Sequence, residues 1–417
     1  MSALQPAASP YPQLSDRRRD ALVASLPAVG ANLDDITTRF YARMFEAHPE
    51  LKRDVFNRAN QAQGTQPKAL AASIVAFATH LLDPSQPDPI AMMRRIAHKH
   101  ASLGITADQY EIVHEHLFGA IVEVLGADAL TADIVDAWQT VYWSMAHAFI
   151  GLEANLYSQA GVTPGAFFRT VTVVDRIDDP SGAATFVVEA PEGADPLPTF
   201  SPGQYISVRS ELADGARQIR QYSLTGAPDT RWSFTVKRVA DPGSPVGEVS
   251  AWLHETISAG STLEVSLPYG DVVLEAGRDT PVVLVSAGIG ITPMVGLLAY
   301  LSDVEPHRPT TVLHADRSAQ SHPLREQVRM LTGRMSDVSV TTWYEEDALG
   351  DRTGRMDVST LDLPAEADYF VCGSEGFVRK VRFDLIASGI AADRVHAELF
   401  TPDSWLATSD QLEPVGQ

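Results

Sequence analysis

The 417-residue chain holds one cysteine, Cys372. No disulfide can form within it, and neither a multi-cysteine zinc site nor a cysteine-ligated iron–sulfur cluster can be built. That scarcity suits a reducing compartment. Residues 1–16 show no basic stretch followed by an apolar core, so no secretory leader and a cytoplasmic location are expected. Positive charge is also short. The 32 Lys and Arg face 53 Asp and Glu, for a formal net charge of −21, which disfavours nucleic acid or an anionic membrane as partner. Long apolar runs are missing with one exception. An uncharged stretch from Val282 to just before Asp303 has the length of a bilayer span. Ser286, Gly288, Gly290 and Pro293 interrupt it, and a strand, a glycine turn and a helix explain it better than a membrane span.

What is present has three textures. From about Leu14 to Tyr157 apolar residues recur at helical spacing. Ile36, Phe40, Met44 and Phe45 share one face, as do Val135, Trp138, Val141, Tyr142 and Met145. Pro49, Pro84, Pro87 and Pro89 mark breaks between helices. An all-α domain of this size could hold a haem on a buried imidazole. His98, His100, His114, His116 and His147 lie on the helical segments, and spacing alone does not choose among them. After the linker GVTPGAF the pattern turns to short alternating strands, such as RTVTVVDRI, YISVRS and WSFTVKRV, which predict a small antiparallel barrel. Beyond Pro281 strands and helices alternate, which predicts a doubly wound parallel sheet.

Two motifs carry chemistry. Pro-Gly-Gln-Tyr at 202–205 and Arg-Gln-Tyr-Ser at 220–223 have the spacing of an antiparallel pair around the Asp214-Gly215 turn. An arginine fork and a hydroxyl suit a phosphate, and an aromatic ring can cover a flat cofactor. Gly247–Glu255 opens a helix whose first amides could bind a pyrophosphate. In the last third, PVVLVSAGIGITPM reads strand, glycine loop and helix, an arrangement that cradles a dinucleotide. The next strand ends His314-Ala315-Asp316-Arg317. The acid suits the ribose of NADH and the arginine suits the phosphate of NADPH, so both coenzymes stay open.

Gly-Gln-Tyr followed by Arg-x-Tyr-Ser resembles the FAD site of ferredoxin-reductase-like flavoproteins. With RFYARMFEAHPEL and RIAHKHASLGI upstream and the nicotinamide pattern downstream, the chain resembles the flavohaemoglobins over about residues 14 to 402. The resemblance implies a globin haem domain at 14–160, an FAD-binding barrel at 165–276, an NAD(P)-binding α/β domain at 280–402 and a tail at 403–417. It implies haem b on His100, with Tyr110 and Glu153 hydrogen-bonding around the proximal imidazole and Tyr41 and Gln66 reaching over the distal side. Phe56, Leu70 and Lys99 would line the haem. The segment ELKRDVF before Phe56 is one residue longer than the family pattern. Tyr205, Arg220, Gln221, Tyr222, Ser223, Val249 and Ser250 would bind FAD. Gly288, Ile289, Gly290, Ile291, Thr292, Pro293, Cys372 and Gly373 would surround the nicotinamide; Phe400 would stack on the flavin and Glu398 would lie between flavin and haem, with Leu399, Thr401 and Pro402 as further cofactor contacts.

The implied activity is nitric oxide dioxygenase: NAD(P)H reduces FAD, FAD reduces haem, and haem with dioxygen converts nitric oxide to nitrate. A gas sensor or oxygen-binding module is one alternative, and the reductase motifs argue against it. A divergent flavohaemoglobin with another electron donor is the second. It would lack the tyrosine–glutamate pair, which Tyr110 and Glu153 supply here.

Overall fold

The computed structural model describes residues 11, 13–58, 65–86, 88–226, 230–239 and 247–400; the side chains of 65–69, 71 and 72 are outside this set. The chain divides into two compact units, Met1–Phe167 and Phe168–Gln417.

The first unit is helical: α1 (Asp16–Ala31), α2 (Leu33–Ala47), α3 (Thr65–Leu82), α4 (Ile90–Leu103), α5 (Gln109–Leu125) and α6 (Ala132–Gln159). The periodic faces are the buried ones. Ile36, Phe40 and Met44 of α2 and Trp138, Val141, Tyr142 and Met145 of α6 all belong to one core. Prolines punctuate as expected: α3 ends ahead of Pro84, and Pro89 caps α4. Gly104 stops α4 in the left-handed conformation (φ 78°), and a Cβ there would overlap the Phe167 ring at 1.8 Å. Only glycine fits such a stop, and it fixes His100 in the helix's last turn.

The segment before Phe56 departs from α-helical geometry. Leu51–Val55 is a π turn, closed by Phe56 N–H donating to the Leu51 carbonyl at 2.9 Å. A π turn spans one residue more than an α turn.

In the second unit β1 (Phe168–Asp178), β2 (Ala183–Glu189), β3 (Tyr205–Glu211), β4 (Arg217–Gly226), β5 (Trp232–Lys237) and β6 (Thr262–Ser266) form a closed barrel in the order β1-β2-β5-β4-β3-β6. Helix α7 (Glu248–Thr256) lies between β5 and β6 in the chain. The second layer holds β7 (Val282–Ala287), β8 (Thr310–Asp316), β9 (Val338–Tyr344), β10 (Arg352–Thr353), β11 (Asp368–Gly373) and β12 (Val395–Leu399), all parallel, in the order β10-β9-β8-β7-β11-β12. Helices α8 (Ile291–Val304), α9 (Arg325–Thr332) and α10 (Glu375–Ala387) connect them. The strand order reverses between β7 and β11, the point where such sheets bind nucleotides. The uncharged run at 282–302 is β7, a glycine turn and most of α8. Among the described residues no helix is long and apolar enough to cross a membrane.

Candidate functional site

In the helical unit the last turn of α4 meets α5 and α6. His100 Nδ1 lies 2.7 Å from Glu153 Oε1 and 3.1 Å from the Tyr110 hydroxyl, and that hydroxyl donates to the same carboxylate oxygen at 2.6 Å. Glu153 is 3 % exposed. A carboxylate acceptor holds the proton on Nδ1 and leaves Nε2 as the lone-pair nitrogen, the tautomer that iron ligation needs. Tyr142 fixes the frame by donating to the Tyr110 carbonyl at 2.5 Å. Burial and the neighbouring Glu153 push the Tyr110 phenol far up, so it stays a donor. The residues present therefore fit a haem on His100.

Three of the other helical histidines lie apart from this carboxylate. His114 packs among Phe118, Tyr142 and Trp143. His116 is buried edge-on to His48, and His147 lies exposed beside Trp143.

Tyr41 comes together with Phe45 and Phe56, ring centroids 5.6 and 5.9 Å away. Its phenol is buried, which raises its pKa, and the hydroxyl has no hydrogen-bond partner among the described residues. Leu70 packs against the same core. Lys99 sits one residue before His100, half-buried, its carbonyl accepting from Ser102. Gln66 lies in the first turn of α3, and its side chain is outside the described residues.

In the barrel, β3 and β4 pair with Tyr205 opposite Ser223, Ser207 opposite Gln221 and Val208 opposite Arg220. Gly215 (φ 78°) and the Asp214 carboxylate, which accepts from Ala216 N–H at 3.1 Å, make the turn that sets this register. Tyr222 stacks on Phe234 at 5.6 Å. Gln221 Nε2 donates to Ser207 Oγ at 3.0 Å. Arg220 is half-buried and donates to Gln218 and to the Ile219 carbonyl. Ser223 is 3 % exposed, and its Oγ is buried with no partner among the described residues. A native buried hydroxyl without a partner is uncommon and points to a ligand atom. The strand therefore fits a flavin cofactor. Val249 and Ser250 open α7, but the Ser250 hydroxyl is already engaged, donating to the Gly247 carbonyl and accepting from Val239 N–H. Backbone amides are what remains there for a phosphate.

At the crest of the sheet Gly288–Gly290 forms a 3-10 turn leading into α8. A Cβ on Gly290 would lie 2.5 Å from the Cys372 carbonyl oxygen, so the loop and the end of β11 touch backbone to backbone. Ile289 is half-buried and Ile291 is wholly buried; Thr292 Oγ1 donates to the Ile289 carbonyl at 3.0 Å, and Pro293 occupies the helix's first turn. Cys372 is fully buried in register with Ser286 and Glu398, and burial holds its thiol well above the usual range. Gly373 presses on Phe377. Leu399 ends β12 and Phe400 follows it, 48 % exposed; Thr401 and Pro402 lie outside the described residues. Asp316 is turned inward, accepting from Arg317 N–H and the Ser321 hydroxyl, while Arg317 is exposed.

Several groups escaped the sequence reading. Tyr269 is 2 % exposed, exchanges backbone bonds with Tyr205, and keeps a buried hydroxyl without a partner among the described residues. Nothing local flags it. Ser207 could have been found, because a hairpin centred on Asp214-Gly215 places it opposite Gln221. Beneath the ends of β7, β8 and β9, His314 and His322 stack at 3.8 Å. Ser286 and Tyr344 hydroxyls hold their Nδ1 atoms at 2.9 and 2.8 Å, and burial drives the His322 pKa down to about 2. Only the fold brings this pair together.

Fold and site together define a globin joined to a flavin and pyridine-nucleotide reductase. The globin family model matches residues 38–149, and the oxidoreductase NAD-binding domain model matches residues 284–382. The flavohemoprotein of Chromobacterium violaceum is 40 % identical over 402 residues, covering 93 % of this chain and 98 % of the relative. The crystal structure of a flavohemoglobin from Malassezia yamatoensis with bound FAD and heme superposes with a TM-score of 0.86 at 35 % identity, over 93 % of this chain and 100 % of that one. The FAD/NAD-binding domain of nitric oxide dioxygenase from Vibrio cholerae matches 55 % of this chain and 98 % of its own length, at 31 % identity and a TM-score of 0.52. The chain belongs to the flavohaemoprotein family.

Proposed function

We propose that this chain is an NAD(P)H-dependent nitric oxide dioxygenase of the cytoplasm, using haem b and FAD. The observation that carries the reading is the His100–Glu153–Tyr110 arrangement in a chain that also holds the Ser223 strand and the Gly288–Gly290 loop. When bound, NAD(P)H supplies electrons, FAD passes them on singly, and the haem is where dioxygen and nitric oxide combine to give nitrate. The protein's part is positional. Glu153 holds the Nδ1 proton and makes His100 a stronger donor through Nε2. Tyr110 keeps that carboxylate in place. Tyr41 offers a phenol donor on the distal side, Ser223 and Arg220 hold the flavin's polar groups, and Gly288–Pro293 binds the coenzyme at the strand ends. A globin serving as a gas sensor needs no such reductase. Cytoplasmic placement rests on the dependence on NAD(P)H and on a lone, buried thiol. Under air with nitric oxide, the purified protein should consume NAD(P)H and nitric oxide and release nitrate. Nitric oxide loss without nitrate, or without any need for NAD(P)H, would refute the assignment.

Two variants probe the parts. Glu153→Gln replaces the charged acceptor with a neutral one and is expected to weaken haem retention about 10- to 100-fold, as loss of a ligand's supporting partner does. Haem transfer to apomyoglobin measures it, and a transfer rate equal to the parent's would assign Glu153 to packing alone. Ser223→Ala removes a buried hydroxyl whose partner is the flavin. FAD affinity should drop about tenfold, from the loss of one hydrogen bond of about 1 kcal/mol or somewhat more. The FAD-free protein should melt no lower than the parent, since no protein bond is lost. Fluorescence titration and thermal melts decide; lower stability with unchanged affinity would reverse the reading.

A further inference from the structure

Gly296 lies in the second turn of α8, six residues past Gly290, and therefore about 9 Å along the axis from the glycine loop. A Cβ on Gly296 would sit 2.3 Å from the Leu224 carbonyl oxygen, 3.5 Å from its carbon and 3.9 Å from Thr225 Cα. The helix backbone thus rests directly on the backbone of β4, at the residue after Ser223. Neither partner has room to retreat. Leu224 is fully buried, and its N–H donates to the Gln204 carbonyl at 3.0 Å. Thr225 is fully buried, with Oγ1 3.1 Å from Ser233 Oγ across the bulge between Leu224 and Gly226. On the other side α8 is buried from Ile291 through Leu298, and its leading Gly290 is pressed on Cys372 and Gly373.

We propose that Gly296 is a positioning residue for hydride transfer: the absence of a side chain at 296 sets the separation between the nicotinamide loop at 288–293 and the flavin strand at 220–223. The inference rests on the proposed flavin and nicotinamide sites. The step it governs moves two electrons and one proton from the dihydronicotinamide carbon to the flavin, oxidising one as the other is reduced. Reacting atoms must lie about 3–3.5 Å apart, and a misplacement of about 1 Å costs roughly a hundredfold. A methyl group that needs a normal carbon–oxygen contact in place of 2.3 Å forces a shift of about that size.

The test compares Gly296→Ala with the parent holoprotein by anaerobic stopped flow. Flavin reduction at saturating NADH should slow by about a hundredfold. Its isotope effect with 4-deuterated NADH should rise, and the coenzyme Kd should stay within about threefold. The long-wavelength charge-transfer band formed by NAD+ with dithionite-reduced flavin should shrink. FAD content, haem content and the melting of the FAD-free protein should match the parent to within the scatter of Gly151→Ala, a helical glycine with nothing near its Cβ. Reduction within threefold of the parent with the band intact overturns the proposal. Slowing that tracks lost FAD or a lower melt assigns Gly296 to packing and also overturns it. A parent whose flavin NAD(P)H does not reduce defeats the proposed sites instead. Should Gly296→Ala fail to fold, Thr225→Ala, which loosens the bulge and leaves every residue of α8 unchanged, carries the test. Several-fold slower reduction with a raised isotope effect supports the proposal, and a rate within twofold of the parent overturns it.

Discussion

Replacing His100 by alanine should yield a protein that no longer retains haem yet still binds FAD and passes electrons from NAD(P)H to an artificial acceptor. His100 lies in the Met1–Phe167 unit and the flavin strand in the second. Its surroundings prepare the imidazole for iron, with Nδ1 committed to Glu153 and Tyr110 and Nε2 left as the donor. Alanine also withdraws a hydrogen bond from a carboxylate that is 3 % exposed. An under-satisfied buried charge costs about 1–3 kcal/mol or more, so the helical unit should melt earlier as well. A pyridine haemochrome assay and FAD fluorimetry on the same sample check both halves. Full haem retention with an unchanged Soret band would remove His100 as the ligand and turn attention to His98. His100→Gly with added imidazole separates ligation from folding: free imidazole should restore haem binding if the ring's role is to ligate.

Much of this was legible because it is local. Alternation in YISVRS and WSFTVKRV is the pattern of a strand with one face in a barrel, and those strands are found at Tyr205–Glu211 and Trp232–Lys237. The apolar run VVLVS is that of a parallel strand covered on both faces, and β7 is buried from Val282 through Ser286. The glycines at 288 and 290 were readable as a turn from strand to helix, while the contact of Gly290 with the Cys372 carbonyl was not. What periodicity does not carry is the meeting of distant backbones. Gly296 stands inside a good helical pattern, and its reason is a carbonyl 72 positions away in the chain. The stacked His314 and His322 likewise read as two ordinary histidines until β8 and its following loop are folded. The π turn at Leu51–Val55 lies where the sequence left the register toward Phe56 open.

Dioxygen should leave Tyr41→Phe about ten- to a hundredfold faster than the parent, while NADH still reduces the flavin at the parent's rate. A phenol donating to the partial negative charge on dioxygen at the haem makes a hydrogen bond worth about 1.5–3 kcal/mol, and each 1.4 kcal/mol is a factor of about ten. Burial raises the Tyr41 pKa, so the hydroxyl keeps its proton through the physiological range and remains a donor. A purely structural tyrosine makes the opposite set of demands. Phenylalanine keeps the ring contacts with Phe40, Phe45 and Phe56. The hydroxyl it deletes makes no hydrogen bond to the described residues, so its loss should leave the melting temperature unchanged. The expected result is thus a protein that is as stable as the parent, loses oxygen faster, and removes nitric oxide more slowly when oxygen is limiting. Stopped-flow oxygen dissociation gives the first reading and a thermal melt the second, with Gln66→Leu as the companion variant for the distal side. Off-rates within twofold of the parent in both variants would take Tyr41 and Gln66 out of the site. A fall in stability without a change in off-rate would place the Tyr41 hydroxyl in the core.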